Sequence, residues 1–179
     1  MQIKEDKGFR YIDEGQGEVL LLLHGLFGAL SNWDAVVDKF SQKYRVIIPL
    51  LPIYTMPVKT AGLNSLNTFT EQFVEAMGLN NVNIIGNSLG GHVGLIFTLA
   101  NPEKVNTLIL TGSSGLFENS MGGSFPRRGS YDYIQERVAY TFYDPKTATK
   151  ELVDEVFETT KSIPKALRIV AIAKSAQRN

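Results

Sequence analysis

The sequence predicts an α/β fold: a mostly parallel sheet with helices on both faces. Three observations carry that expectation. The runs VLLLL (residues 19–23), YRVIIPL (44–50) and NVNIIGN (81–87) read as buried strands, the first two apolar almost throughout, as in strands covered on both faces. Strand-like and helix-like segments then alternate at short intervals from Val19 to Thr111, the pattern of right-handed βαβ units. After Gly115 the alternation stops, and the rest of the chain reads as helix.

Each element has its own signal. FRYID (9–13) alternates and runs into EGQG, so it predicts a half-exposed strand ending in a turn. Ser31 is a candidate cap for a helix beginning at Asn32, with Trp33, Val36, Val37 and Phe40 at helical spacing. Residues 50–64 hold Pro52, Pro57 and Gly62 with little periodicity and predict a loop. Ser65 then opens a helix carrying Leu66, Phe69, Phe73 and Met77, with Gly78 at its stop. LGGHVGLIFTLANPEK (89–104) is a helix ended by Asn101 and Pro102, and VNTLILTGS (105–113) is a fourth strand. Beyond the Gly- and Ser-rich segment GLFENSMGGSFPRRGS, helices are expected over 131–142, 146–160 and from Pro164 onward. There is no internal repeat and no low-complexity tract.

Composition narrows the function. The 179 residues are 44% hydrophobic and 20% charged, a mix able to bury a sizeable core. Eighteen basic residues balance eighteen acidic ones, so nothing in the net charge draws the chain to nucleic acid or an anionic membrane, and a small-molecule substrate is the expected partner. Without cysteine there is no thiolate metal site, and the two histidines form no ligand spacing with the carboxylates, so neither metal nor other cofactor is expected. The polar N-terminus MQIKEDKGFR lacks the apolar stretch of a signal peptide, which predicts a cytoplasmic protein.

The chemistry concentrates in IIGNSLGGH (84–92). Gly86-Asn87-Ser88-Leu89-Gly90 fits G-x-S-x-G between an expected strand and an expected helix, the context that makes the motif a nucleophile elbow. The glycines leave room around a serine held at a strained backbone angle, and the free N–H groups at the start of the following helix favour a developing oxyanion. The alternative is an ordinary N-cap serine in a glycine-rich turn. A second motif, HGLFG (residues 24–28), follows the strand ending at Leu23.

With these two motifs and NPEKVNTLILTGSSG, the chain resembles the α/β-hydrolase superfamily, and within it small cap-bearing serine hydrolases such as carboxylesterases and meta-cleavage C–C bond hydrolases. The resemblance implies a hydrolase core over residues 1–115 and a helical cap, incomplete, over 116–179. It implies Ser88 as nucleophile, with the backbone N–H groups of Leu89 and Leu26 as the oxyanion hole and Phe27 as the alternative loop donor. His24, Gly25, Gly28, Gly86, Asn87 and Gly90 would support them. The segment LLPIYTMP, after VIIPL, departs from the Asp and Gly-rich turn that relatives commonly carry.

Such a serine needs a histidine base held by an acid, in the chain order Ser, acid, His. His24 precedes the elbow, and His92 lies one turn along its helix, so neither fits the role, and His92 reads as a packed histidine. Asp132, Asp144 and Asp154 fall in the helical tail as ordinary solvated positions. The expectation is therefore the N-terminal part of a longer hydrolase, acid and histidine lying beyond Asn179, with a non-catalytic hydrolase-like binding protein as the alternative. The aromatics Phe117, Phe125, Tyr131, Tyr133, Phe142 and Tyr143 are candidates for a pocket lining or for packing, and Arg127 and Arg128 for anion contacts or a solvated loop. The oligomeric state is not legible.

Overall fold

The structure, a computed structural model, describes residues 1–27, 30–116 and 129–177. Gly28, Phe117, Phe125, Arg127 and Arg128 lie outside the described residues.

Six strands, β1 (Lys4–Asp6), β2 (Phe9–Glu14), β3 (Val19–Leu23), β4 (Arg45–Pro49), β5 (Val82–Asn87) and β6 (Val105–Thr111), form one sheet in the order β1-β2-β4-β3-β5-β6. The β1–β2 and β2–β4 pairs are antiparallel, and the β4–β3, β3–β5 and β5–β6 pairs are parallel. The sheet is therefore mixed and mostly parallel in its centre, where the apolar runs lie.

The pleat of β3 explains why helices cover both faces. Leu21 and Leu23 join a cluster with Leu66, Phe73 and Val74 of α2 (Leu63–Ala76) and Val93 and Phe97 of α3 (Leu89–Ala100). Leu20 and Leu22 point the other way, to Trp33 and to Val37 of α1 (Asp34–Phe40). Each of these leucines is buried, and full burial of such a side chain contributes about 1.5–3 kcal/mol.

The first two helices start elsewhere than the sequence reading has them. α1 begins at Asp34, not Asn32, after a 3₁₀ turn over Leu30–Trp33, and Ser31 is not its cap. Seating the Trp33 ring in the cluster with Val37 decides where the helix can begin. α2 begins at Leu63, two residues before Ser65, and the Leu63 N–H donates to Ser175 Oγ (3.1 Å). Ser65 instead donates its hydroxyl to the Thr60 carbonyl.

After β6 the described chain is helical: α4 (Tyr131–Tyr140), α5 (Lys150–Lys161) and α6 (Ile163–Ala176). α5 starts at Lys150 rather than 146, capped by the Thr149 hydroxyl, which accepts from the Leu152 N–H. α4 and α5 bury Ile134, Val138, Val153 and Val156 in a small cluster of their own, with Tyr131, Tyr133 and Phe142 packed on it. Those three aromatics are packing residues, and Tyr143 is fully exposed. α6 differs, because Ile172 and Ala176 join the main core beside Leu51, Ile53 and Met56.

Candidate active site

The local sequence around Ser88 folds as a sharp strand-to-helix corner. Ser88 has φ 52° and ψ −119°, a region that L-residues rarely adopt, and its side chain makes no cap hydrogen bond to α3. Ser88 thus occupies the N-cap position of α3 without capping it through its hydroxyl. The corner is held through the backbone: the Ser88 N–H donates to the Thr111 carbonyl (3.1 Å), and the Ser88 carbonyl accepts from the N–H groups of Gly91 and Ser114 (3.0 and 3.2 Å). Asn87 contributes a side-chain hydrogen bond, Nδ2 to the Thr111 carbonyl at 3.0 Å.

The glycines are required by crowding. A Cβ on Gly86 would lie 2.5 Å from Gly91 Cα, and one on Gly90 would overlap the Leu23 carbonyl oxygen. A Cβ on Gly25 would stand 3.2 Å from Ser88 Cβ, so the loop at the end of β3 lies directly against the corner. Leu26, Ser88 and Leu89 line one small cavity of about 90 Å³, together with Ser114 and with Ile172, Ala173, Ala176 and Gln177 at the end of α6. Phe27 packs instead against the α4–α5 cluster.

His24 is buried, and its partners identify its protonation state. The Leu51 N–H, which can only donate, points at Nε2 (3.0 Å), and the Gly25 carbonyl, which can only accept, lies 2.9 Å from Nδ1. The ring is therefore neutral with its proton on Nδ1. Burial holds its pKa below the usual histidine value, opposed in part by the hydrogen bond to Gly25. With both nitrogens engaged, His24 links the Leu51 N–H to the Gly25 carbonyl and has no lone pair for a serine. His92 is also buried: Nδ1 lies 3.3 Å from Ser114 Oγ, and a Cβ on Gly115 would stand 2.5 Å from its ring.

None of the three aspartates approaches a triad geometry. Asp144 caps a 3₁₀ turn, Asp132 sits in the first turn of α4, and Asp154 accepts from the Tyr131 hydroxyl at 2.7 Å and pairs with Lys150. Among the described residues no group of three or more His, Asp or Glu is arranged to hold a metal, and no helix is long and apolar enough to cross a membrane.

Several site residues escaped the sequence reading. Ser114 was legible only as part of TGSSG, although it contacts both Ser88 and His92. Ile172, Ala173, Ala176 and Gln177 gave no signal, because helical apolar spacing does not say what a helix faces. Tyr54 was equally silent, yet its hydroxyl donates to the Leu26 carbonyl at 3.0 Å.

A strand-corner-helix serine beside a glycine loop at the end of β3, on a mostly parallel sheet, defines the class, and residues 18–135 match the alpha/beta hydrolase fold family. The chain belongs to that family. It is 32% identical over 175 residues to the 2-hydroxy-6-oxononadienedioate/2-hydroxy-6-oxononatrienedioate hydrolase 1 of Dechloromonas aromatica (strain RCB), covering 85% of this chain and 60% of that protein. It is 26% identical over 189 residues to the 2-hydroxy-6-oxo-6-phenylhexa-2,4-dienoate hydrolase of Comamonas testosteroni, covering 94% of this chain and 64% of the other. Among solved structures, MGS-MChE2, an alpha/beta hydrolase enzyme from the metagenome of sediments from the lagoon of Mar Chica, Morocco, superposes with a TM-score of 0.76 at 36% identity, over 99% of this chain and 67% of that one. The chain thus spans less than two thirds of the length of the two curated relatives.

Proposed function

We propose that this chain is the N-terminal part of a serine hydrolase that cleaves an ester, or a C–C bond activated by a neighbouring carbonyl, through an acyl-enzyme on Ser88. The observation that carries the reading is the Ser88 corner: a strained serine, uncapped by its own side chain, on the wall of a cavity shared with Leu26 and Leu89. Ser88 Oγ attacks the carbonyl carbon and passes its proton to a base. The carbonyl oxygen becomes an oxyanion, taken by the N–H groups of Leu89 and Leu26, or of Phe27. The intermediate collapses as the protonated base gives that proton to the departing alcohol oxygen, or to the departing carbon in the C–C variant. Water then releases the acid and restores the serine.

The relatives' names support the C–C variant, since they are hydrolases of dienoates and dienedioates. The cavity walls favour a short, mostly apolar acyl group, with Leu26, Leu89, Ile172, Ala173 and Ala176 beside the polar Ser114 and Gln177. In this reading residues 1–115 are core and 116–179 are cap, α4 to α6 standing over the site. The base and its acid come from a further C-terminal part. β6 lies at the edge of the described sheet, where its backbone can pair with another strand, and Ile109 on its face is 45% exposed. A non-catalytic binding protein is the second reading, favoured by the engagement of both histidine rings away from Ser88.

Two measurements on one preparation decide. A fluorophosphonate labels Ser88 in the whole polypeptide, while Ser88→Ala folds and stays unlabelled. The 179-residue chain hydrolyses p-nitrophenyl acetate only at background rate, and a C-terminal part bearing an acid and a histidine, supplied on the same chain or separately, switches hydrolysis on. Full activity from a monomer of verified 179-residue mass refutes the division of the triad, and labelling of Ser88→Ala refutes the nucleophile.

A further inference from the structure

The segment between β4 and α2 grips the loop beside Ser88 at two points, three residues apart. At the first, the Leu51 N–H donates to His24 Nε2, and His24 Nδ1 donates in turn to the Gly25 carbonyl. At the second, the Tyr54 hydroxyl donates to the Leu26 carbonyl at 3.0 Å. A peptide group is planar, with its carbonyl and N–H pointing in opposite directions. Holding the Gly25 carbonyl therefore fixes the direction of the Leu26 N–H, and holding the Leu26 carbonyl fixes that of the Phe27 N–H. Leu26 is clamped on both flanking peptide planes, by the His24 of the loop motif and by Tyr54, which no motif announces.

α6 in turn anchors the gripping segment. Arg168 Nε donates to the Met56 carbonyl (2.6 Å), Ser175 Oγ accepts from the Leu63 N–H, and Lys165 Nζ lies 5.4 Å from the centre of the Tyr54 ring. Ile53, Leu51 and Met56 are buried around the tyrosine's turn, which closes through Thr55 and Met56 N–H groups on the Pro52 carbonyl. The phenol is pushed up to about 12, first by burial and then by Glu155, so its proton stays in place to be donated.

We propose that Tyr54 is a positioning residue for the oxyanion loop, its hydroxyl setting the Leu26–Phe27 peptide so that the loop N–H groups are held ready for charge developing next to Ser88. Its role in turnover rests on the hydrolase reading above, but the clamp itself does not. A preorganised donor needs no reorganisation at the moment of reaction, and loss of one such donor costs about 10²–10³ in turnover; a donor left in place but loosened should cost less, about tenfold.

The test is Tyr54→Phe in the whole polypeptide, with the exposed Tyr140→Phe as control. NMR of the Leu26 carbonyl carbon and the Phe27 amide reads the clamp without activity: both resonances move in Tyr54→Phe and stay put in Tyr140→Phe. On p-nitrophenyl acetate, kcat per phosphonate-titrated site falls about tenfold with KM within about twofold. The preference for an ester over its thionoester, which reports the oxyanion contact, falls with it. Unmoved Leu26 and Phe27 resonances, or moved resonances with kcat and ester preference intact, overturn the proposal. Moved resonances in a protein whose wild type hydrolyses nothing uphold the clamp and defeat the hydrolase reading instead.

Discussion

Gly90 sits so close to the end of β3 that a Cβ on it would overlap the carbonyl oxygen of Leu23 and stand 2.7 Å from that of His24. Both obstacles are backbone, and neither can swing aside. Gly90→Ala must push the first turn of α3 away from β3, and with it the Leu89 N–H. Overpacking of this kind costs about 1–3 kcal/mol. The expected outcome is a lower urea midpoint and slower fluorophosphonate labelling of Ser88 in the whole polypeptide. Gly94→Ala, where the nearest atoms are side-chain methyls of Ile84 and Leu108 at 3.3 Å, should be milder on both measures.

Ser88 itself stores strain. A non-glycine residue at φ 52° and ψ −119° costs on the order of 1–3 kcal/mol, and glycine relieves it while losing somewhat more chain entropy on folding. Ser88→Gly is therefore expected to raise stability by about 1 kcal/mol while abolishing labelling. Ser88→Ala keeps the strain and should leave stability near the wild-type value. Equal or lower stability of the glycine variant in chemical denaturation would argue against a strained nucleophile corner.

His24 makes stability depend on pH. Its folded pKa lies below the usual histidine value of about 6.5, so between the two the unfolded chain binds more protons than the folded one. Stability contributed by the neutral ring is then complete above about pH 6.5 and is lost as pH falls through the folded value. Physically, protonating Nε2 breaks the Leu51 hydrogen bond and charges a buried ring. Denaturation midpoints should fall on acidification from about pH 7 to 5, ahead of any loss through Asp13, whose pKa is lowered from 3.8 chiefly by its hydrogen bonds to Arg45. His24→Gln, less stable throughout, should show a flatter slope in that window. An unchanged slope would locate the titrating group elsewhere.

Strand identity and the elbow were legible in the chain because their causes are local. VLLLL can be covered on both faces in one way, and Gly86-Asn87-Ser88-Leu89-Gly90 tolerates the corner because its glycines clear the space. The buried leucines of β3 and the positive φ of Ser88 follow from neighbours a few residues away. The antiparallel edge and the β1 strand were not legible, since three exposed polar residues carry no periodic signal.

What the sequence by itself determined is the class of fold, the place of the serine and the loop that faces it, all written in short-range steric rules. What only the tertiary structure decided is what surrounds them. The start of α2 depends on Ser175, 112 residues away. The protonation state of His24 depends on Leu51, and the seat of Leu26 on Tyr54. These are single hydrogen bonds between groups distant in the chain, common residue types with no spacing to betray them, and they form because the apolar packing of α6 and the segment after β4 brings them within reach.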